Sequence, residues 1–434
     1  MSTEEKLVIH GGKPLEGMVE VRGSKNAASK MMIASLLTDQ PCVLTNVPLS
    51  SEIDITRELC EQVGSDVSIG ADHVCRIQTP AIKTSVVSEL TRKNRIPILA
   101  LGSLLHRKGS AEVPFPAGDP IGHRPINLHL EALNKMGVRI ERRGHSYYAE
   151  ADDIHGAQIA LSFPSVGATE NIILTAALAR GETRISNAAI EPEIMNMIEM
   201  LDTMGARIAV DADAREIRIQ GVDKLNGTVA RVIPDRNEIV SFAAAALATG
   251  GSIFIPDINP SHLRSFLAAL EEIGAIADLQ PNGICFSGVV FNGLRVQTSP
   301  HPGFMTDWQQ PFGVLLTQAE GESVIHEIVY EDRFGYAKEL SRMGADILVS
   351  DECLGFDPCR FAGQTFNHSM RIRGPRKLQG RDIMVHDIRA GMAHIVAALV
   401  AQGESVIAGI HHIDRGYEKL DERLRMLGAD IKRI

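Results

Sequence analysis

Phe242–Thr249 reads FAAAALAT, and the stretch is followed by Gly251 and, after another helical pattern, by Ile273-Gly274-Ala275. A run so rich in alanine, with no polar stripe, describes a helix buried on most sides. An apolar residue, a glycine and a small residue ahead of a β-prone run describe a helix end whose glycine supplies the left-handed cap. Both signals recur along the chain. The second appears as Val63-Gly64-Ser65, Met136-Gly137-Val138, Met204-Gly205-Ala206, Ile273-Gly274-Ala275, Met343-Gly344-Ala345 and Leu427-Gly428-Ala429, with glycines 73, 68, 69, 70 and 84 residues apart. The earlier glycine recurs as Gly109, Gly181, Gly251, Gly321 and Gly403, with Asp39-Gln40-Pro41 in its place in the first unit. Ahead of it stand helical runs such as Ala393–Ala401 (AHIVAALVA), and behind it β-prone runs such as Glu404–Ile407 (ESVI). Each unit therefore reads helix, strand, helix, strand, and six such units in register make an internally repeated α/β protein.

Six units divide into two lobes of three, with the boundary near Val232–Arg236 (VIPDR), where a proline interrupts the strand pattern. Strands predicted at Leu7–His10 and Met18–Val21 precede the first unit without a partner and could complete either lobe. A chain of 434 residues is too long for one compact core and long enough for two or three domains. Forty-four Lys and Arg against 54 Asp and Glu leave a formal charge of −10, which argues against a nucleic-acid coat or a polybasic membrane binder. Aromatic residues, at 4%, are too few for a stacking surface. No apolar stretch is long enough to span a bilayer, and Met1–His10 lacks a basic-then-apolar signal pattern. The six cysteines are scattered with no C-x-x-C pair, so a reducing cytoplasm is expected.

Counting fourteen residues back from each earlier glycine reaches Arg95, Gly167, Asn237, Asp307 and Arg389, and the same offset from Asp39 reaches Lys25. Each should stand near the start of a buried helix. Cations there oppose the helix dipole and need a partner when desolvated. Lys25, Arg95 and Arg389 make sense if an anion occupies the space before them, where N–H groups and cationic side chains act together. The alternative is a set of interlobe salt bridges.

Three further stretches share this character. Gly23-Ser24-Lys25-Asn26-Ala27-Ala28 sets a turn, a cation and an amide at one helix start, without the spacing of a P-loop. Pro116–Pro125 (PAGDPIGHRP) holds Asp119, His123 and Arg124 among turn residues and is either a surface turn or a mobile lid. Ser165–Asn171 (SVGATEN) suits a pyrophosphate or an ordinary N-cap on Ser165. No metal is expected. Adjacent His411 and His412 would point to opposite faces of a strand, and Cys353-x5-Cys359 matches no ligand spacing, so both cysteines read as ordinary thiols. No G-x-S-x-G pattern supports covalent serine hydrolysis.

On these residues the chain resembles the enolpyruvyl transferase family over essentially its whole length. The specific matches are Gly23–Ala28, Ile121–Pro125 (IGHRP), Ser165–Thr169, Asn187–Ala189 with Glu191–Ile194, and Pro234-Asp235-Arg236. They continue with His301–Phe304, Thr306-Asp307, Asp332-Arg333-Phe334, Glu339–Ala345, Asp387–Ala390 and His412–Tyr417. The resemblance implies a two-lobed, inside-out α/β barrel with three βαβαββ units per lobe. One lobe would cover 24–232 and carry the lid loop 116–125, and the other 1–23 plus 233–434. It also implies transfer of the enolpyruvyl group of phosphoenolpyruvate to the 3′-hydroxyl of UDP-N-acetylglucosamine, with release of phosphate, in peptidoglycan precursor synthesis. A related nucleotide or nucleotide-sugar acceptor is the alternative, and neither metal nor organic cofactor is implied.

By the same resemblance Lys25, Asn26, Arg124, Arg333 and Arg389 hold phosphoenolpyruvate, with Lys25 and Arg389 also catalytic and Asp307 the base near the acceptor hydroxyl. The UDP-sugar would lie on Arg95, on Arg124, Pro125, Ile126, Asn127 and Leu128, on Phe163, Pro164, Ser165 and Val166, and on Asp307 and Val329. Closing lobes and the lid would exclude water. Two positions depart from the family pattern. Most relatives carry a cysteine acid at the lid where this chain has Asp119, which can donate the same proton but offers no thiolate to the epoxide antibiotic fosfomycin. Leu49-Ser50-Ser51 stands where relatives often present lysines.

Overall fold

The structure, a computed structural model, describes residues 5–88, 90–92, 94–118, 122, 124–331, 333–356 and 359–434. One compact unit comprises 23–118 and 124–233, and a second comprises the N-terminal residues up to Arg22 together with 234–434. Among the described residues the strands form six small sheets, five of four strands and one of three.

The stretch 158–220 shows the repeating plan. Strand Gln158–Ala160 leads to helix Val166–Ala176, strand Glu182–Ser186, helix Pro192–Thr203, and a hairpin of Arg207–Asp211 with Glu216–Gln220. The first strand pairs parallel with Glu182–Ser186, whose other edge takes Glu216–Gln220 antiparallel. This is a βαβαββ unit, and the same pattern of one parallel and two antiparallel pairings returns around Cys42–Thr45, Ser252–Pro256, Gly321–His326 and Glu404–Ala408. In the sheet of Ser110–Pro114 the parallel edge shrinks to a single bridge between Val86 and Glu112. The α/β class and the repeat expected from the sequence are both present.

Three sheets are completed by strands from far away in sequence. Leu7–His10 lies antiparallel between Glu404–Ala408 and Asp430–Arg433, filling the position that Glu216–Gln220 holds in its own sheet. Leu7 and Ile9 face the core while His10 is exposed, as the period of two requires. The second N-terminal strand forms at Glu16–Met18 and supplies the parallel edge beside Ser252–Pro256. Thr228–Arg231 does the same for Cys42–Thr45 in the other unit.

Each unit has its own apolar core. In the second unit helices Arg236–Ala248, Gln309–Leu316 and Ile388–Val400 pack on one another, and nearly all of their residues are buried. Alanine and glycine let these backbones approach, and each buried leucine among them adds roughly 1.5–3 kcal/mol of transfer free energy. The six helix-ending glycines all take positive φ, from 85° at Gly274 to 115° at Gly64, where any other residue would be strained. At the earlier position of the fourth unit Gly250 takes the positive φ (71°), whereas Gly251 is required because a Cβ would sit 2.1 Å from the Leu15 carbonyl oxygen.

The helix after Arg95 starts as a 3-10 turn, Ile96–Leu99, with Pro97 in it, and continues as an α-helix from Ala100. One expectation needs correction. His411 and His412 lie in the 3-10 turn Ile410–His412, not in a strand, and their rings face each other with centroids 4.2 Å apart. Among the described residues no helix is long and apolar enough to cross a membrane.

Candidate functional site

The six positions fourteen residues before the turn do stand at helix starts. Lys25 opens helix Lys25–Ala34, and Gly167, Asn237 and Arg389 are the second residues of their helices. Arg95 caps the 3-10 turn, and Asp307 lies two residues before helix Gln309–Leu316.

In the second unit two of these equivalent positions meet. Arg389 Nε donates to Asp307 Oδ2 at 3.0 Å, and Arg333 Nη2 donates to Asp307 Oδ1 at 2.6 Å. One carboxylate is thus held by two guanidiniums of its own unit, both nearly buried, while its own side chain keeps 24% of its surface open. Burial works against the Arg389 charge, and Asp307, Tyr417 and Asp235 more than offset it, so its pKa lies above the ordinary arginine value. Arg389 Nη1 donates to Tyr417 Oη at 3.1 Å, and Tyr417 Oη in turn meets Ser241 Oγ at 2.9 Å. Asp387 caps the same helix by accepting from the N–H groups of Arg389 and Ala390, which fixes where Arg389 begins.

Beneath Asp307 lies Glu327, directly after strand Gly321–His326. Its Oε2 accepts from Thr306 Oγ1 at 2.7 Å and from Gln309 Nε2 at 2.5 Å, and its Oε1 accepts from the N–H groups of Val329 and Tyr330. Burial raises its pKa, with Arg333 and these hydrogen bonds in opposition. This carboxyl therefore ties both the segment carrying Asp307 and the turn carrying Val329. Sequence reading did not single out Glu327, Tyr417 or Ser241 as site residues. A carboxylate directly behind an apolar strand was the available signal for the first.

The first unit gathers donors and cations at its own helix starts. Lys25 Nζ donates to Asn26 Oδ1 at 3.0 Å, and both side chains are half-buried. Ser24, before this helix, and Ser50 and Ser51, at the start of helix Ser51–Val63, hold buried hydroxyl oxygens without hydrogen-bond partners among the described residues. Arg95 and Arg124 converge on Gly118, where an added Cβ would meet Arg124 Nη1 at 3.1 Å and Arg95 Cγ at 3.6 Å. Arg95 also acts on His129, whose pKa burial and the arginine charge lower to about 3, leaving the imidazole neutral. His129 hydrogen-bonds Asn171 at 3.1 Å and packs under Gly167, joining helix Asn127–Lys135 to helix Val166–Ala176. Ser165 is an N-cap, its Oγ accepting from the Ala168 N–H at 3.4 Å. Val166 is exposed, Phe163 and Pro164 are half-buried, and of the segment after Arg124, Pro125 and Asn127 are exposed while Ile126 and Leu128 pack on the core.

Asp119, Ile121 and His123 of the lid motif, and Asp332, lie outside the described residues. A cavity of about 570 Å³ in the second unit is bounded by Gln310, Arg333, Asp387 and Ala390, and by neither Asp307 nor Arg389.

A model of the EPSP synthase (3-phosphoshikimate 1-carboxyvinyltransferase) family matches residues 9–424. The chain is 45% identical to a UDP-N-acetylglucosamine 1-carboxyvinyltransferase of Protochlamydia amoebophila, over 99% of this chain and 94% of that protein. It is 44% identical to the protein of that name from Chlamydia abortus, over 98% and 97%. Among solved structures, the enolpyruvyl transferase NikO from Streptomyces tendae superposes with a TM-score of 0.85 at 23% identity, covering 99% of both chains. EPSP synthase from Acinetobacter baumannii gives 0.74 at 19% identity, covering 100% of both chains, and these two likenesses bear on the fold. The match along nearly the whole sequence, joined to the sixfold βαβαββ plan, makes this chain a member of the enolpyruvyl transferase family.

Proposed function

We propose that this protein transfers the enolpyruvyl group of phosphoenolpyruvate to the 3′-hydroxyl of UDP-N-acetylglucosamine in the cytoplasm, releasing phosphate. The acceptor oxygen bonds to C2 of phosphoenolpyruvate while C3 gains a proton, giving a tetrahedral ketal. Loss of phosphate by C–O cleavage and return of a C3 proton restore the double bond. Such a sequence needs an acid at C3, a base at the hydroxyl, and cations that hold a phosphate and a carboxylate throughout.

The observation that carries the reading is Asp307 between Arg333 and Arg389 at the head of a buried helix. Each guanidinium holds a different oxygen, which fixes the plane and direction of the carboxylate. A carboxylate so oriented suits the base. Its two arginines, with Lys25, Asn26 and Arg124, suit phosphoenolpyruvate. Arg95, residues 124–128, residues 163–166 and Val329 suit the UDP-sugar, and Asp119 suits the C3 acid. Identity of 40% and above to several proteins named for this acceptor supports its choice.

Phosphate release from phosphoenolpyruvate with a panel of acceptors tests the proposal. Turnover with UDP-N-acetylglucosamine is expected. Silence with it and turnover with UMP or another nucleotide would transfer the assignment to the alternative acceptor class. Fosfomycin should cause no time-dependent inactivation, and Asp119→Cys should acquire it. An Asp119→Ala protein with intact turnover would remove Asp119 from the acid role.

A further inference from the structure

The hairpins that end the repeat units are short, running Arg143 to Ser146 in one and Gln280 to Gly283 in another. In the fifth unit, however, the connection between strands Asp346–Ser350 and Ser369–Gly374 extends from 351 to 368. This excursion brings together the two cysteines that sequence spacing left as ordinary thiols. Cys353 Sγ, Cys359 Sγ and one nitrogen of His368 all lie within 4.8 Å of one another.

The histidine is arranged as a ligand. It is fully buried, and its Nδ1 lies 3.0 Å from the Phe366 carbonyl oxygen, which has no proton to give. Nδ1 therefore carries the proton, and the lone pair of Nε2 points to Cys353 Sγ at 3.5 Å. Zinc–sulfur and zinc–nitrogen bonds of about 2.3 and 2.05 Å at a tetrahedral angle place sulfur and nitrogen about 3.6 Å apart, which the observed distance matches. The imidazole is also immobilised. The His368 N–H donates to the Ser350 carbonyl, its own carbonyl accepts from the Glu327 N–H, and Phe361 and Phe366 pack edge-on to its ring. Cys353 lies at the surface and Cys359 is half-buried, so an ion can enter from solvent.

We infer that Cys353, Cys359 and His368 form a binding site for a thiophilic divalent cation, for which Zn2+ is the fitting case, with water in the fourth position. Binding replaces the two thiol protons, which leave to solvent, with two metal–sulfur bonds. The ion ties Cys353 and Cys359 to His368. Arg360, next to Cys359, donates to the Val329 carbonyl at 3.2 Å, so the bound ion holds this arginine on the turn that Glu327 also holds.

Titration of the full chain with cobalt(II) alone, in a non-thiol reductant, tests the site and does not depend on which acceptor the enzyme uses. A thiolate-to-cobalt charge-transfer band and the visible bands of tetrahedral cobalt should saturate at about one ion per chain, and Zn2+ should abolish them. Removing a group that only orients a metal ligand already costs about 10–100-fold in affinity, so Cys353→Ser and Cys359→Ser should each lose at least about 100-fold. Cys285→Ser should titrate like the parent protein. A parent chain without the charge-transfer band, or a double Cys353→Ser, Cys359→Ser chain that retains it, overturns the assignment. So does a Cys353–Cys359 disulfide that persists in the reductant.

Discussion

Two ion pairs of the second unit look alike on paper and differ in what surrounds them. Arg423 grips Glu238 with two parallel hydrogen bonds of 2.7 Å, both partners less than a tenth exposed. Both partners make further bonds: Arg423 also donates to the Glu418 and Glu20 carbonyls, and Glu238 accepts from the Arg22 N–H. Asp307 also sits among arginines, but it is divided between two of them and keeps a quarter of its side chain open. A closed pair fixes the N-terminal segment to the second unit's core. An open, divided one orients a carboxylate that solvent reaches. The comparison separates a pair that holds the fold from a cluster that can meet a substrate.

The sharpest way to break this contrast is Asp307→Asn. General-base contributions run about 10²–10⁴-fold, so turnover measured by phosphate release should fall by that much. Stability should fall as well, because Arg333 and Arg389 are nearly buried and lose a shared counter-charge, with Asp235 still acting on Arg389 and Glu327 on Arg333. A loss below about tenfold would place Asp307 with the structural pairs. The reciprocal change, Glu238→Gln, removes the carboxylate that pairs with buried Arg423, leaving the charge of Glu418 to act on it, and should cost about 3–5 kcal/mol of stability. Denaturant unfolding measures it, and kcat per folded molecule should stay within about twofold. A stable Glu238→Gln protein with poor turnover would reverse the two roles.

How much of this contrast was legible beforehand follows from which forces are local. A left-handed turn admits glycine for steric reasons that act within a few residues, so the ends at Gly64, Gly137, Gly205, Gly274, Gly344 and Gly428 could be read directly. The common offset that put Asp307 and Arg389 at helix starts follows from the same periodicity. Partnerships set by the tertiary fold left no such trace. The insertion of Leu7–His10 beside Glu404–Ala408, the support of Asp307 by Glu327, and the meeting of Cys353 with His368 all join residues whose approach only the completed sheets determine.

A third test moves the comparison into the first unit, where Glu170 is buried in helix Val166–Ala176 near Glu191 and Glu193. Burial raises its pKa from 4.5 to about 7; Lys30 opposes the shift and the two glutamates add to it. A carboxyl whose folded pKa exceeds its unfolded one holds its proton more tightly when folded. Its contribution is complete below about pH 4.5 and is lost as pH rises through about 7. At about 1.4 kcal/mol per pKa unit, Glu170→Gln should add roughly 3 kcal/mol of stability at pH 8 and flatten the decline across that window. An unchanged pH profile would mean that Glu170 ionises in the folded protein at little cost.

The smallest expected effect probes how the open cluster is supported. Tyr417→Phe removes the hydroxyl that accepts from Arg389 and meets Ser241, while the ring keeps its packing. A net hydrogen bond is worth about 1 kcal/mol, and a charged donor adds to that, so kcat/KM should drop by about fivefold to thirtyfold. Arg389 would still reach Asp307 through Nε, so the cluster should survive with a looser guanidinium. The loss should therefore fall on KM for phosphoenolpyruvate more than on kcat, because the loosened guanidinium is one of the groups proposed to hold that substrate's anionic end. A fall in kcat alone would instead tie Tyr417 to the placement of Asp307, and the open cluster would then be as tightly specified as the closed pair that it was set against.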